Sequence, residues 1–382
     1  MRPDYKKGLF TLLFIVLLLP FVQQCLPFID SGKLFGYYTD SPDATFSFEK
    51  WWDGSYQKNK GNYCNDHIGF RPDLLRVNGQ IDYSLFYKVN YGGTCAGKDD
   101  YLFYDNYITA YYGLDYAGRA KLETQMLRLK ALQDTFAHMG KSLILVFAPC
   151  KAWYCSKYLP DNKKPDENRP NNYTTCIRLA DSLGINMIDF NVWFLKLRDT
   201  SKELLYPKQG IHWTNYGSVL ATDSLIKYIE KLRHIHLPHP YWASVYHTTD
   251  PQDPDNDMGN ILNLIWPVVK ETFCYPVVKF MQDSSTSHLN AIHIGDSYNI
   301  NLLRTGMLQN MYGDNWQFWF GFKHIFNPKT YMEWTYPQIA NTDWKGEILK
   351  ADCIILLNTP RSADDLASGF IDSAYHYFYP GK

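Results

Sequence analysis

Long runs of one charge are missing from this 382-residue chain, as are any internal repeat and any low-complexity linker. Lysine and arginine total 38 against 39 aspartates and glutamates, for a formal net charge of −1. With no basic stripe to neutralise phosphates, the expected partners do not include nucleic acid. Without a linker or a repeat, one main domain is the economical organisation. Hydrophobic residues make up 46% of the chain, which excludes a disordered protein. Aromatics are abundant, at 16% with 30 tyrosines and 11 tryptophans. They supply core mass and also flat apolar faces with polar tips, which suit sugar rings.

The N-terminus lacks a small-x-small cleavage signature. Arg2, Lys6 and Lys7 precede an apolar run over residues 8–22, broken only by Thr11 and Pro20. That is the charged and apolar pattern of a secretory signal. Val22-Gln23-Gln24-Cys25 is neither a cleavage site nor a good lipobox. Extended to Ile29, the run holds about 20 residues, enough to cross a bilayer. The pattern predicts an uncleaved signal anchor over residues 1–29, with its start in the cytoplasm. Residues 30–382 then lie outside the cytoplasm, as they also would behind a cleaved signal. Cys25 falls in or beside the anchor, and seven further cysteines remain. Seven is odd, so at least one is free or pairs between chains. Cys150 and Cys155 flank a loop and could bridge to each other or to Cys176, and Cys353 sits in an apolar run as a core thiol.

Downstream, apolar positions recur at helical spacing over residues 116–138, at Leu122, Met126, Leu129, Leu132 and Phe136. Residues 142–148 read as a buried strand, 174–183 as a helix, 185–190 as a strand and 216–232 as an amphipathic helix. A segment at 236–288 interrupts the pattern: a Pro-, Asp- and His-rich surface excursion to 257, then an apolar stretch. Alternation resumes with a strand at 291–294, a helix at 300–311, a strand at 351–357 and a C-terminal helix at 363–375. Such alternation predicts an α/β fold with a parallel sheet covered on both faces. Ligands in open parallel sheets sit beyond the carboxyl ends of the strands. Ser297, Asn358 and Pro149 all follow strands, and His212 precedes a helix.

Ile294-Gly295-Asp296-Ser297 places a serine at the end of a strand and the start of a helix. A serine hydroxyl needs a neighbouring base, and His212 in Lys208-Gln-Gly-Ile-His-Trp-Thr214 can supply it. A helix N-terminus beside Ser297 would stabilise developing negative charge. Other motifs carry less. Gly92-Gly-Thr-Cys-Ala-Gly-Lys98 matches the start of a phosphate loop, but Asp99 stands where Ser or Thr must hold magnesium. His234-x-His236-x-x-His239 has metal-ligand spacing, yet its prolines favour a solvated helix end. Asp253–Asp257 begins like a calcium loop, but Met258 replaces the required glycine. No metal and no cofactor is expected.

Four blocks together resemble the alginate O-acetyltransferase AlgJ/AlgX-like family. They are Asn65-Asp66-x-x-Gly69-Phe70-Arg71; Gly97-Lys-Asp-Asp-Tyr-Leu-Phe103, near the family's "GKDGWLF"; His212-Trp213-Thr214 with Gly217, near "DTHWT…G"; and Gly295-Asp296-Ser297-Tyr298. They occur in the family's order, histidine before serine, over about residues 60–375. The resemblance implies a three-layer αβα SGNH-hydrolase-like domain behind an N-terminal inner-membrane anchor, with the domain in the periplasm. It implies O-acetyl transfer to an extracytoplasmic polysaccharide through an acyl-Ser297 intermediate. A membrane-bound O-acyltransferase would supply the acetyl group.

One departure stands out. The family's Asp-x-His-Trp reads Gly210-Ile211-His212-Trp213 here. A third group normally orients the imidazole and stabilises its charged form. Asp189, at the end of the 185–190 strand, is the expected substitute; Asp257, in the insertion, is another. A Ser-His dyad oriented by a backbone carbonyl, or a dead site kept for glycan binding, are the remaining readings. An acetyl esterase using the same pair is the competing activity. Gly295, Asn358 and Trp213 are the expected oxyanion and substrate-binding residues. Asp296 is expected to shape the turn, and Arg71 and Lys208 to form salt bridges.

Overall fold

The structure is a computed structural model describing residues 5–36, 40–165, 167–281, 286–313, 316–326 and 338–381. Arg2 of the expected charged region lies outside them. The chain divides into two units, Met1–Gly92 with Met258–Val268, and Gly93–Asp257 with Val269–Lys382. Every regular element before Gly92 is helical.

In the first unit, Tyr5–Cys25 forms one apolar helix of 21 residues, long enough to cross a membrane. At 1.5 Å per residue it spans about 30 Å, the thickness of a hydrocarbon core. Its end is closed by Gln23, whose amide accepts from Phe28 and Ile29 N–H at 3.2 and 3.3 Å. Phe48–Trp52, Ser55–His67 and Arg71–Phe86 follow as helices. Arg71 forms the expected salt bridge, with Asp66 at 3.5 Å.

The second unit holds a six-stranded sheet of β1 (Ser142–Phe147), β2 (Met187–Asp189), β3 (Ala291–Gly295), β4 (Trp316–Phe320), β5 (His324–Phe326) and β6 (Cys353–Asn358). Its spatial order is β2-β1-β6-β3-β4-β5. Every pairing is parallel except β4 with β5. β1 and β6 are buried at every position, as continuous apolar runs in a sheet covered on both faces require. Alternate residues divide between the faces. Leu143, Leu145, Phe147, Ile292, Ile294, Ile354 and Leu356 join a core with residues of helices Arg119–His138, Asn172–Leu183 and Phe370–Phe378. His293 points the other way, toward Tyr312 and Asn299 of the helices that follow β3. The outcome is the expected three-layer α/β architecture.

Boundaries differ from expectation where local breaks intervene. The helix expected over 300–311 is two, Tyr298–Arg304 and Met307–Tyr312, separated at Gly306 with φ 70°. The segment expected as a surface excursion and an apolar stretch contains an antiparallel ribbon, His239–Thr248 against Phe273–Met281. The first of these strands is mostly exposed, so no buried alternation marks it. All eight cysteines are unpaired.

Candidate active site

Ser297 stands just past the C-terminal end of β3, on the turn into helix Tyr298–Arg304. The turn depends on Gly295. A Cβ there would lie 1.9 Å from the Leu357 carbonyl and 2.7 Å from Asn299 Nδ2, so no side chain fits between the strands. Asp296 shapes the turn, as expected, its carboxylate accepting from Tyr298 N–H at 3.0 Å and from the Thr359 hydroxyl at 3.2 Å. Burial raises the Asp296 pKa; the Tyr298 N–H and the nearby Arg361 charge oppose the shift.

His212 reaches Ser297 from the loop before helix Asn215–Arg233. Its Nε2 is 2.8 Å from Ser297 Oγ, and its Nδ1 is 2.6 Å from Asp257 Oδ2. The other carboxylate oxygen of Asp257 accepts the Ile211 N–H at 2.9 Å. Serine, imidazole and carboxylate therefore form one continuous hydrogen-bonded chain, the arrangement that activates a serine nucleophile. The His212 side chain is 11% exposed and that of Asp257 23%, so the relay is sheltered and still reachable.

The loop carrying His212 is tied through the backbone of Lys208, Gly210 and Ile211. Lys208 N–H donates to Glu271 at 2.7 Å, and Lys208 O accepts from Leu102 N–H at 3.0 Å. The fully buried Lys151 ammonium donates to Lys208 O and Gly210 O, each at 2.6 Å. Ile211 O accepts from the Tyr298 hydroxyl at 2.6 Å and the Tyr206 hydroxyl at 2.9 Å. Because Tyr298 follows Ser297, this bond fixes the nucleophile turn against the base loop. Thr214 caps the next helix, its hydroxyl accepting from Gly217 N–H at 3.1 Å. Lys208 thus acts here through its backbone, with its ammonium 5.3 Å from the Tyr101 ring centre.

Asp189 does not occupy the orienting position. It ends β2, three strands from β3 in the sheet, a separation of about 14 Å at the usual strand spacing. Both its oxygens are engaged there, with the Tyr173 hydroxyl at 2.7 Å and Val192 N–H at 3.0 Å, where it caps a helix. Asp257 takes the place beside His212, and Gly210 explains why the family's position cannot hold an acid. A Cβ on Gly210 would meet Pro207 Cγ at 2.6 Å and the Asp255 carbonyl at 2.9 Å. Neighbouring Asp255 binds Asn215 through N–H at 3.0 Å and Nδ2 at 3.2 Å. Burial pushes its carboxyl up to about 7, with the Asp257 charge adding to the shift.

Trp213 is 0% exposed, wedged among Phe190, Phe194 and Tyr298, so it cannot stack on a sugar. Asn358 is buried at the end of β6, beside β3. Its Oδ1 accepts from Ala367 N–H at 2.9 Å, and its Nδ2 donor has no partner among the described residues. The spaced histidines have separate backbone and side-chain roles. His234 ends a helix, and His239 Nε2 pairs with Glu230 at 3.0 Å. The orienting acid had no local sequence signal to single it out, since 45 residues and the whole first ribbon strand separate it from His212.

Fold and site together present a serine, an imidazole and a carboxylate at the carboxyl edge of a mostly parallel α/β sheet. Residues 94–280 match the family model described as the SGNH hydrolase-like domain of acetyltransferase AlgX. The matched span includes His212 and Asp257 and ends before Ser297. Among solved structures, the O-acetyltransferase domain of Pseudomonas putida AlgJ aligns at 17% identity and TM-score 0.48, covering 75% of this chain and 99% of that one. Pseudomonas aeruginosa AlgX aligns at 15% identity and TM-score 0.45, over 73% and 67%. Bacillus cereus PatB1 aligns at 10% identity and TM-score 0.39, over 64% and 91%. No curated protein sequence matches the chain.

Proposed function

We propose that this chain moves an acetyl group from a donor to a hydroxyl of an extracytoplasmic polysaccharide by way of acetyl-Ser297. The observation that carries this reading is the placement of His212 between Ser297 Oγ at 2.8 Å and Asp257 Oδ2 at 2.6 Å. The matched acetyltransferase domain supports the group transferred, and the apolar helix Tyr5–Cys25 supports an anchored domain outside the cytoplasm.

In the first half-reaction, His212 Nε2 takes the Ser297 proton as Oγ attacks the acetyl carbonyl. The bond from that carbonyl to the donor breaks, and the leaving group takes the proton from Nε2. In the second, Nε2 takes the proton of an acceptor hydroxyl whose oxygen attacks the acetyl ester. Ser297 Oγ leaves and recovers the proton. Asp257 holds Nδ1–H throughout and stabilises the imidazolium formed in each half. Ser297 N–H has no intramolecular acceptor among the described residues, and together with Asn358 Nδ2 it forms the oxyanion donors in this reading. A membrane-bound O-acyltransferase is the proposed acetyl supplier.

The test uses the full chain in detergent with p-nitrophenyl acetate, then with added oligosaccharides. A nitrophenol burst and an acetyl adduct on Ser297, both lost in Ser297→Ala and His212→Ala, are expected. Acetyl on the added sugar is expected in preference to free acetate. Equal rates for wild type and Ser297→Ala would sink the nucleophile; acetate alone at every sugar concentration would make the protein an esterase.

A further inference from the structure

Away from the triad, the antiparallel ribbon brings a second set of reactive side chains together. His247 and Cys274 are directly paired across its two strands, so their side chains emerge on the same face. Glu203 approaches from the loop after helix Phe190–Leu197, in a tight turn where Ser201 Oγ donates to the Glu203 carbonyl at 2.7 Å and accepts its N–H at 3.3 Å. His247 Nε2 lies 3.0 and 3.1 Å from the two Glu203 carboxylate oxygens. One donor atom from each residue, imidazole nitrogen, thiol sulfur and carboxylate oxygen, falls within 4.8 Å of the others. The three residues border a cavity of about 500 Å³ whose wall also includes Tyr216, Trp242 and Lys202.

We propose that Glu203, His247 and Cys274 bind a divalent transition-metal ion of the zinc class. A tetrahedral zinc ion holds such ligands at about 2.0–2.3 Å, which sets them roughly 3.3–3.7 Å apart. The imidazole and carboxylate already stand within a few tenths of an ångström of that spacing, and the thiol needs only a side-chain adjustment. A thiolate and a carboxylate together carry the two negative charges that balance the ion, so the filled site is neutral before its fourth ligand. All three residues line the cavity, from which water or a small exogenous ligand can supply the fourth ligand. Imidazole and thiolate select zinc, cobalt or copper over magnesium or calcium. Because the thiol must become a thiolate to ligate the ion, binding releases a proton.

Mechanically, the ion would pin the ribbon to the Glu203 loop. His239–Thr248 runs directly into the segment bearing Asp255 and Asp257, so the same link would steady the approach to the triad acid.

The deciding experiment titrates chelator-treated, reduced full chain with cobalt(II) and then with zinc. A near-ultraviolet thiolate-to-cobalt band saturating at one ion per chain, and bleached by zinc, is the expected result. Cys274→Ser should abolish the band. His247→Ala should weaken zinc binding by more than the roughly 10–100-fold that loss of an outer-shell partner costs. Ser297→Ala should leave both unchanged, which keeps the result independent of the acyl-transfer reading. Absence of the band in wild type, or its persistence in Cys274→Ser, overturns the proposal. Alkylation of the unmutated protein gives a reading that does not depend on a variant folding: zinc should slow modification of Cys274 relative to the exposed Cys64. Equal rates with zinc and with chelator also overturn it.

Discussion

The Asp257 carboxylate spans two consecutive residues of the base loop, meeting His212 Nδ1 at 2.6 Å with one oxygen and Ile211 N–H at 2.9 Å with the other. The two bonds do different things. The backbone bond fixes where the carboxylate sits relative to the loop, and the imidazole bond fixes the tautomer with Nδ1 protonated and Nε2 facing Ser297. One residue therefore sets both the position and the protonation of the base, from a segment far from the His212 motif in sequence.

Replacing Asp257 with Asn separates these effects. The amide oxygen can still accept Ile211 N–H, but an amide NH₂ turned toward Nδ1 would demand the opposite tautomer and place a proton on Nε2. The expected loss in kcat is about 10²–10⁴-fold, with the thermal midpoint little changed. Asp189→Asn should leave kcat within a few fold, since that carboxylate serves Tyr173 and a helix cap. Single-turnover acylation rates for the two variants check this; a greater loss in Asp189→Asn than in Asp257→Asn would reverse the assignment.

Restoring the family's aspartate at position 210 should harm the protein. The Cβ alone would fall 2.6 Å from Pro207 Cγ and 2.9 Å from the Asp255 carbonyl, and the latter is backbone that cannot swing aside. Gly210→Ala should then cost about 1–3 kcal/mol through overpacking, and Gly210→Asp at least as much, with activity falling in both. Urea unfolding and ester hydrolysis measured side by side test this. A gain in activity in Gly210→Asp would mean that the loop adapts and that Asp257 is not the acid it relies on.

Much of this was legible in the chain because the relevant signals are local. Continuous apolar runs such as Leu143–Phe147 and Ile354–Leu357 mark strands buried on both faces, and glycine at 295 marks the tight exit to Ser297. His212 was legible as the base that a strand-end serine needs, in a motif just ahead of a helix. Asp257 was only one of two candidate acids, because what selects it is strand order rather than sequence. Asp189 ends a strand at the correct level of the sheet but at its edge, three strands from β3. Trp213 could be read as packing on its own motif or on a sugar ring, because a tryptophan beside a histidine reads the same whether it points outward or into the core. The ribbon strand His239–Thr248 gave no buried alternation to find.

The buried Lys151 gives the site a pH signature whose sign is fixed. Desolvation lowers its pKa from 10.5 to about 8; Cys155, Asp257 and Glu271, the negative or ionisable groups nearest it, oppose the shift, and the Tyr101 and Phe103 rings lie over the ammonium. Below pH 8 the lysine is protonated in both the folded and the unfolded chain, so it contributes no pH dependence. Between about 8 and 10.5 the unfolded chain holds a proton that the folded chain has released. The unfolded state then binds more protons, and stability must rise with pH across that window. The difference in unfolding free energy between wild type and Lys151→Met should therefore shift in favour of wild type by up to about 3 kcal/mol from pH 7 to pH 10.5. Subtracting the two proteins removes the tyrosines and cysteines that titrate in the same range, since both retain them. The Met variant also leaves Gly210 O without its donor, so it should lower kcat at pH 7 although Lys151 contacts no reacting atom. Urea melts of both proteins at several pH values test the linkage, and a free-energy difference that stays flat across the window would show that Lys151 keeps an ordinary pKa inside the fold.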